Sequence, residues 1–363
     1  MSARTSGSTA AGSSGRASRL LAPPRPGRLG AWSYALRTTN PPPDRDPRTL
    51  DGVTTWLVVT RAAVLPMTVF AGLVAGLLAV RADGFSWPLY LLALLGITLA
   101  HACNNIMNDL SDTDAGLDTE AYPRALYAPH PILSGMVRRK QMGLAVIGLN
   151  LVCFVVMVVL ATQRGWPVVA FAVLGIFLSV AYTAPPLRLK KRGLGEPDVF
   201  VVWGPLMVAG TYFSAVGELP WQVWLASVPY GLLCTTVLMG KHIDKIPFDE
   251  PTGTRTLPVV LGEVRARTVT VVLLVGFYAV TGLAVAVGAL PWPTLLVAAG
   301  LPLLRKVAGA FRDGRPAEPP PGFPVWPLWF AAICFVHVRR AGGLLVLGLV
   351  VAAVLDIGLP LSA

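Results

Sequence analysis

Long apolar segments recur along most of the chain. A run of roughly 20 apolar residues is the length that crosses the ~30 Å hydrocarbon core of a bilayer as a helix. Only 13% of the residues are charged, whereas soluble domains carry about 25%, so a soluble globular fold is excluded. We predict an all-α membrane protein with nine transmembrane helices. They cover residues 54–80, 87–108, 142–161, 166–184, 198–216, 221–241, 268–290, 293–311 and 341–361.

Two regions depart from this pattern. Residues 1–50 are rich in Ser, Gly, Ala, Arg and Pro and have no hydrophobic periodicity. We therefore predict a disordered basic tail, followed by a single intramembrane domain over residues 51–363. The segment 324–338 is apolar but short and rich in Trp, which is typical of an interfacial or re-entrant helix.

The charges predict the orientation of the bundle. The formal net charge is +11, from 30 Lys and Arg against 19 Asp and Glu. A basic chain can bind nucleic acid, but in a membrane protein Lys and Arg collect in cytoplasmic loops. With the N-terminus inside, the outer loops hold only Arg81 and Arg164. We expect a multi-pass protein of a bacterial cell membrane, with a cytoplasmic N-terminus, a site facing the cytoplasm and no nucleic-acid partner.

The first acidic cluster lies at the end of the second predicted helix. On a helix, Asp109 and Asp112 share a face with Asn105 and Asn108, and Asp118 follows in the loop. Carboxylates this close repel one another unless a cation lies between them, and hard oxygen ligands favour Mg²⁺. A solvated acidic loop is the simpler alternative. The cluster begins inside an apolar helix, however, where ionisable groups are costly, and this favours a functional site.

A second cluster occupies the equivalent position at the end of the sixth predicted helix. It contains Lys241, Asp244 and Asp249. Two facing groups of carboxylates, with cations nearby, can hold Mg²⁺ and a diphosphate between them. The metal ion then stabilises the leaving diphosphate as a C–O bond breaks. An apolar bundle behind such a site accepts a lipid tail and excludes water.

Five short segments occur together in this chain: Asn108-Asp109-x-x-Asp112, 131–135, 182–188, 193–196 and 253–258. In combination they resemble the UbiA superfamily of intramembrane prenyltransferases, closest to the branch that acts on 1,4-dihydroxy-2-naphthoate. The resemblance implies nine helices, aspartate-rich motifs on helices 2 and 6, and Mg²⁺-dependent use of prenyl diphosphates. One departure concerns the second motif, where Lys245 occupies the position of the first aspartate. Either Asp244 takes the metal role, or metal binding at this half is reduced.

The resemblance also implies roles for individual residues. Metal binding and catalysis fall to Asp109, Asp112, Asp118, Asp244 and Asp249. Substrate binding falls to Asn105, Asn108, Arg124, Tyr182, Arg188, Lys190 and Lys241. For the cations of the 188–192 loop, ordinary positive-inside charge is the alternative, and Arg124 can pair with Asp118 instead of phosphate. His130 and His242 are either general bases or hydrogen-bonded structural residues.

These features predict transfer of a polyprenyl group from an allylic prenyl diphosphate to a hydrophobic aromatic acceptor within the lipid bilayer, with Mg²⁺ as cofactor. One alternative is a terpene synthase that cyclises the prenyl diphosphate without an acceptor. A cation-coupled transporter is a second alternative. Both clusters lie at helix ends, whereas transporters bind near the bilayer midplane, and this disfavours the transporter.

Overall fold

The computed structural model describes residues 27–114, 129–321, 323 and 325–358, apart from the side chains of Asp112 and Asp114. Within these residues, nine helices are long and apolar enough to cross a membrane, and they confirm the predicted all-α membrane bundle. The spans are Ala62–Ala79, Trp87–Ser111, Arg139–Arg164, Trp166–Thr183, Gly195–Val216, Trp221–Asp249, Glu263–Ala286, Trp292–Asp313 and Trp329–Val354.

We number the α-helices of these residues in chain order. They are α1 (Arg28–Thr38), α2 (Gly52–Val59), α3 (Pro66–Ala79), α4 (Trp87–Asp114), α5 (Arg139–Arg164), α6 (Trp166–Thr183), α7 (Gly195–Val201), α8 (Met207–Val216), α9 (Trp221–Asp249), α10 (Leu257–Leu261), α11 (Glu263–Ala286), α12 (Leu301–Asp313) and α13 (Trp329–Val354). A π-helical turn at Val202–Leu206 joins α7 to α8, and a 3₁₀ segment at Trp292–Gly300 leads into α12.

The first predicted helix, 54–80, is interrupted. α2 ends at Val59, and Arg61 adopts a left-handed backbone conformation with a φ of 53°. A 3₁₀ turn at Ala62–Val64 then leads to α3. Pro66 begins α3, where its missing N–H costs no hydrogen bond. The break places the side chain of Arg61 inside the bundle instead of along a continuous helix face.

Part of the predicted disordered tail is helical, which corrects the prediction for these residues; residues 1–26 lie outside the described part. α1 is fastened to the start of α2 because Trp32 Nε1 donates to Asp51 Oδ1 at 2.9 Å. Asp51 also caps α2 by accepting from the backbone N–H groups of Val53 and Thr54. Burial alone would raise the pKa of Asp51, but its hydrogen bonds, led by that from Thr54, lower the pKa to about 2.

The last helix also differs from its prediction. Instead of a re-entrant segment and a span at 341–361, a single helix, α13, runs from Trp329 to Val354. Its first turn is stabilised by the Asp244 carboxylate of α9, which accepts from the backbone N–H groups of Phe330 and Ala331. This cap lets the helix begin at Trp329, so Arg339 and Arg340 lie within the span and not in a loop.

Small residues let the central helices approach closely. A Cβ atom on Gly240 of α9 would lie 2.7 Å from the carbonyl carbon of Phe330 in α13. At Gly204, in the π-helical turn, a Cβ atom would lie 3.1 Å from the Cα atom of Gly231 in α9. Such contacts between backbones are a main source of stability in membrane bundles, where lipid is as apolar as the helix surface. α9 is therefore in direct backbone contact with two neighbouring spans.

Replacing Gly240 with alanine is expected to lower the free energy of unfolding by about 1–3 kcal/mol, because the added methyl group meets backbone atoms that cannot rotate away. The measurement is the thermal unfolding midpoint of the purified protein in detergent. Gly282→Ala in α11 is the matched control, since a Cβ atom there meets nothing within 4 Å. Equal midpoints for the two variants would contradict the close approach of α9 and α13.

Candidate active site

Among the described residues, the bundle encloses a cavity of about 890 Å³. Its wall is formed by the spans that contain α3 to α9 and by α13, and most of the lining side chains are apolar. Polar side chains line it near one end of the bundle, where α4, α6 and α9 end and α7 begins. They include Asn105, Asn108, Tyr182, Asp198 and Lys241.

The first acidic cluster is carried by α4, which continues to Asp114. Asp109 is almost fully buried and forms an ion pair with Arg61. Asn105 Nδ2 donates to the carbonyl oxygen of Thr60 at 3.0 Å. The break between α2 and α3 therefore packs directly against the first cluster, because α4 supplies the hydrogen-bond donor to Thr60 and the counter-ion of Arg61. Arg61 lines the cavity, and Asp109 lies behind it.

Two neighbouring residues of this cluster carry oxygen atoms of the kind that bind Mg²⁺, one in the cavity wall and the other behind it, paired with Arg61. Asn108 lines the cavity, and its buried Oδ1 atom accepts no hydrogen bond from the described residues. The adjacent Asp109 supplies a carboxylate. Amide and carboxylate oxygens are the ligands that Mg²⁺ prefers. The side chain of Asp112, and all of Asp118 and Arg124, lie outside the described residues. Among the described side chains, no group of three His, Cys, Asp or Glu is arranged to hold a metal ion.

The second cluster departs from the predicted metal site. Asp244 does not line the cavity, and its two carboxylate oxygens accept from backbone N–H groups at 3.1 and 2.9 Å, which gives it a structural role at the start of α13. Asp249 is fully buried, with Lys245 Nζ at 3.5 Å. Lys241 alone among these residues lines the cavity. The two aspartates point to different places because α9 stays helical through both, and a separation of five residues puts them on different faces.

The residues expected to bind diphosphate after α6 divide into two groups. Tyr182 lines the cavity. Arg188 is exposed and has a left-handed φ of 44°. Lys190 is buried. Neither side chain lines the cavity. Their loop reaches the loop after the second cluster through a backbone bridge between Arg192 and Arg255. The structure thus brings this loop next to the second cluster and outside the cavity.

Each histidine near the motifs has a hydrogen-bond partner. His242 Nδ1 lies 2.7 Å from Glu196 Oε1, and both side chains are buried away from the cavity. His130 lies 3.3 Å from Thr113 Oγ1. The contact between His242 and Glu196 joins α9 to the start of α7, which favours the structural interpretation of His242.

A comparison with protein families assigns the chain. The model described as "UbiA prenyltransferase family" matches residues 66–326. The chain belongs to the UbiA prenyltransferase family. It is therefore a prenyltransferase and an integral membrane protein, as the sequence predicts.

Several curated proteins with UbiA-type prenyl-transfer names are similar to this chain in sequence. The chain is 28% identical over 256 residues to a 2-carboxy-1,4-naphthoquinone phytyltransferase of Synechocystis sp., covering 69% of this chain and 80% of that one. It is 30% identical over 263 residues to a 1,4-dihydroxy-2-naphthoate octaprenyltransferase of Haemophilus influenzae, covering 70% and 84%. A protein of the same name from Mycobacterium tuberculosis is 31% identical over 270 residues, covering 72% and 87%.

Solved structures share the fold at low sequence identity. A UbiA homolog from Aeropyrum pernix matches with a TM-score of 0.56 and 19% identity, over 76% of this chain and 98% of that chain. A UbiA homolog from Archaeoglobus fulgidus, bound to GPP and Mg²⁺, matches with a TM-score of 0.51 and 15% identity, over 80% and 99%. These likenesses establish the UbiA fold for this chain.

Several cavity residues of this UbiA-family chain were not among the predicted site residues. They are Arg37, Arg61, His101, Asp198, Trp203 and Arg339. An ionisable residue within an apolar span is the sequence signal for such positions, and Arg61 carries it. Asp198 does not carry this signal, because it lies at the predicted start of a helix, where acidic residues are common. Arg339 was assigned to a loop, and Arg37 to the disordered tail.

Proposed function

We propose that the chain transfers a polyprenyl group from an allylic prenyl diphosphate to a hydroxylated aromatic acceptor of the naphthoate type, with Mg²⁺ as cofactor. The observation that carries this proposal is the position of the first cluster, at the polar end of a large apolar cavity. The names of the curated relatives support the acceptor class, because they state prenyl transfer to naphthoates or naphthoquinones. They also disfavour cyclisation without an acceptor.

The donor binds with its diphosphate at the polar end and its tail along the apolar wall. Asp109 and Asn108 would hold Mg²⁺ there, joined by Asp112 and Asp118, whose roles rest on the sequence. Mg²⁺ supplies charge neutralisation of the diphosphate oxygens. The cations of Arg61 and Lys241, which line the same cavity, supply further positive charge toward the leaving group. Asp244 has no part in this step, and Asp249 lies outside the cavity wall, beside Lys245.

Bond breaking gives an allylic cation in a cavity whose wall is mostly apolar. Side chains such as Ile97, Val199 and Met207 exclude water from it, which protects the cation from hydrolysis. A ring carbon of the acceptor then forms the new C–C bond with C1 of the donor. The acceptor must therefore bind within reach of C1, next to the polar end.

The polar end of the cavity faces the cytoplasm in this proposal. Arg81 and Arg164, the cations assigned to outer loops, lie at the opposite end of the bundle. Arg81 Nη2 donates to the carbonyl oxygen of Ala353, and Arg164 Nη2 donates to those of Gly84 and Ala215. Most other loop cations lie at the polar end, as the positive-inside rule requires of a cytoplasmic face.

The test is an assay with purified protein in lipid nanodiscs, labelled geranylgeranyl or a longer prenyl diphosphate, Mg²⁺ and a panel of aromatic acceptors that includes 1,4-dihydroxy-2-naphthoate. We expect a labelled prenylated product that forms only with an acceptor and disappears when EDTA is added. A hydrocarbon or alcohol without an acceptor would support cyclisation instead. Absence of any product under all conditions would contradict the proposed function.

A further inference from the structure

Asp198 is a buried carboxylate in the cavity wall that has no role in the site described above. Its side chain is 8% exposed, and it lines the cavity. Its buried Oδ1 atom accepts no hydrogen bond from the described residues. Glu196, two residues earlier, is buried more deeply but has His242 as its partner. A carboxylate removed from water without a partner is costly, which makes Asp198 a candidate for contact with a ligand.

Neighbouring contacts fix the depth of Asp198 in the cavity. The rings of Trp203 and His101 are 5.0 Å apart, so α4 and the π-helical turn are level there. Asp198 lies five residues from Trp203 toward the polar end, about 7.5 Å along the helix axis. On α4, Asn105 and Asn108 lie about 6 and 10.5 Å from His101 in the same direction. Asp198 is therefore level with the segment between the two asparagines.

The same wall carries an aromatic surface. Trp203 lies in the π-helical turn Val202–Leu206, and its indole ring meets His101 at an interplanar angle of 87°. The Nε1–H group of Trp203 is buried and finds no acceptor among the described residues. His101 is held by a contact of 2.7 Å between Nδ1 and Thr68 Oγ1. π-helical turns are rare and often occur at functional sites.

We propose that Asp198, with Trp203 and His101, forms the binding site for the aromatic acceptor, and that the Asp198 carboxylate accepts the proton of its ring hydroxyl group. This inference rests on the proposed function. It assigns an acceptor with a hydroxyl donor, because a carboxylate in an apolar wall binds a hydrogen-bond donor, which an ether oxygen at the same position cannot supply. The wall of Trp203 and His101 matches a flat aromatic ring.

The C–O bond of the donor breaks, and its electron pair leaves with the diphosphate. A ring carbon that lies next to a hydroxyl group and carries a hydrogen atom forms the C–C bond to C1 while the hydroxyl proton passes to Asp198, which gives a neutral dienone. The ring proton at the new bond then leaves to the diphosphate, and the ring oxygen recovers its proton from Asp198. The products are the prenylated hydroxyarene and diphosphate, and the Asp198 carboxylate is regenerated.

The experiment compares Asp198→Asn with wild type on two acceptors, 1,4-dihydroxy-2-naphthoate and its mono-O-methyl ethers, with labelled geranylgeranyl diphosphate as donor. We expect wild type to prefer the free hydroxyl by at least about tenfold in kcat/KM, since a site built for a hydroxyl group rejects analogues that lack its proton. In Asp198→Asn this preference should fall close to one, with the KM for the donor unchanged. A preference that remains in the variant would overturn the proposal.

Glu196→Gln is the matched control, because it removes a buried carboxylate on the same helix that does not line the cavity. The acceptor preference should stay at the wild-type value in this variant, even if the protein is less stable. The thermal midpoint of Asp198→Asn should equal or exceed that of wild type, because removing an unpartnered buried charge relieves its desolvation. A lower midpoint together with equal losses on both acceptors would show a structural role and would overturn the proposal.

Equilibrium binding of 1,4-dihydroxy-2-naphthoate, measured in nanodiscs without donor, separates this inference from the proposed function. Binding at least about tenfold weaker in Asp198→Asn than in wild type supports the acceptor site, whether or not transfer is observed. Equal binding overturns it. Absence of transfer by wild type with every acceptor would contradict the proposed function, and the difference in binding would then decide the role of Asp198 by itself.

Discussion

Replacing Asp109 with asparagine is expected to lower kcat/KM by about 10²–10³-fold, the effect typical of removing one group that stabilises developing charge. Asp109 is the described carboxylate of the first cluster, and its removal deprives the diphosphate site of a metal ligand. It also leaves the guanidinium of Arg61 without its buried counter-ion. The measurement is steady-state kinetics in nanodiscs over a range of Mg²⁺ concentrations, and we expect the half-maximal concentration to rise.

Loss of the buried ion pair could lower activity through instability alone, because breaking such a pair costs about 3–5 kcal/mol. The double variant Asp109→Asn with Arg61→Met removes both charges and should recover most of the thermal midpoint but none of the activity. Asp356→Asn is the control, since this exposed aspartate pairs with Arg81 at the opposite end of the bundle. Activity within threefold of wild type in Asp109→Asn would contradict the assignment of the first cluster.

Replacing Asp244 with alanine is expected to destabilise the bundle by about 2–4 kcal/mol, because two buried backbone N–H groups at the start of α13 lose their acceptors. The expected readouts are a thermal midpoint several degrees lower and faster proteolysis near residue 329. Asparagine keeps one acceptor oxygen, so Asp244→Asn should lie between alanine and wild type.

The Mg²⁺ dependence of activity distinguishes this cap from a metal ligand. The folded fraction of Asp244→Asn should show the wild-type half-maximal Mg²⁺ concentration, since both Asp244 oxygens face the last helix. If the midpoint stayed the same and the Mg²⁺ requirement rose severalfold, Asp244 would be a ligand, as its place in the second cluster predicts. The two roles thus give opposite patterns in two independent measurements.

Hydropathy predicted the spans of this chain well because one physical constraint dominates them. A backbone in lipid must satisfy its own hydrogen bonds, so each long apolar run becomes a helix. The helix ends were harder to predict. α4 and α9 continue beyond the predicted ends at 108 and 241 to Asp114 and Asp249. Polar residues at these ends lower the hydropathy while protein packing keeps the helix intact.

The candidate site shows where sequence spacing stops being informative. The first cluster could be read from its spacing because Asn105, Asn108 and Asp109 are held by a single helix. The role of Asp244 could not, since it depends on the backbone of Phe330, 86 residues away. The contact between Arg61 and Asp109 joins residues 48 apart across a break that hydropathy does not register. Partners distant in the chain therefore decide which charged residues reach the cavity.

The two arginines within α13 have a consequence for the surrounding lipid. Arg339 and Arg340 are exposed and lie about 15 Å along the helix from Trp329. The Arg339 guanidinium lies 5.8 Å from the ring centre of Phe335, one turn nearer the helix start, so the side chain reaches back toward that end. Such cations draw water and headgroups down to them. We therefore expect a thinner leaflet beside α13, where an amphiphile with a charged head meets a shorter hydrocarbon barrier.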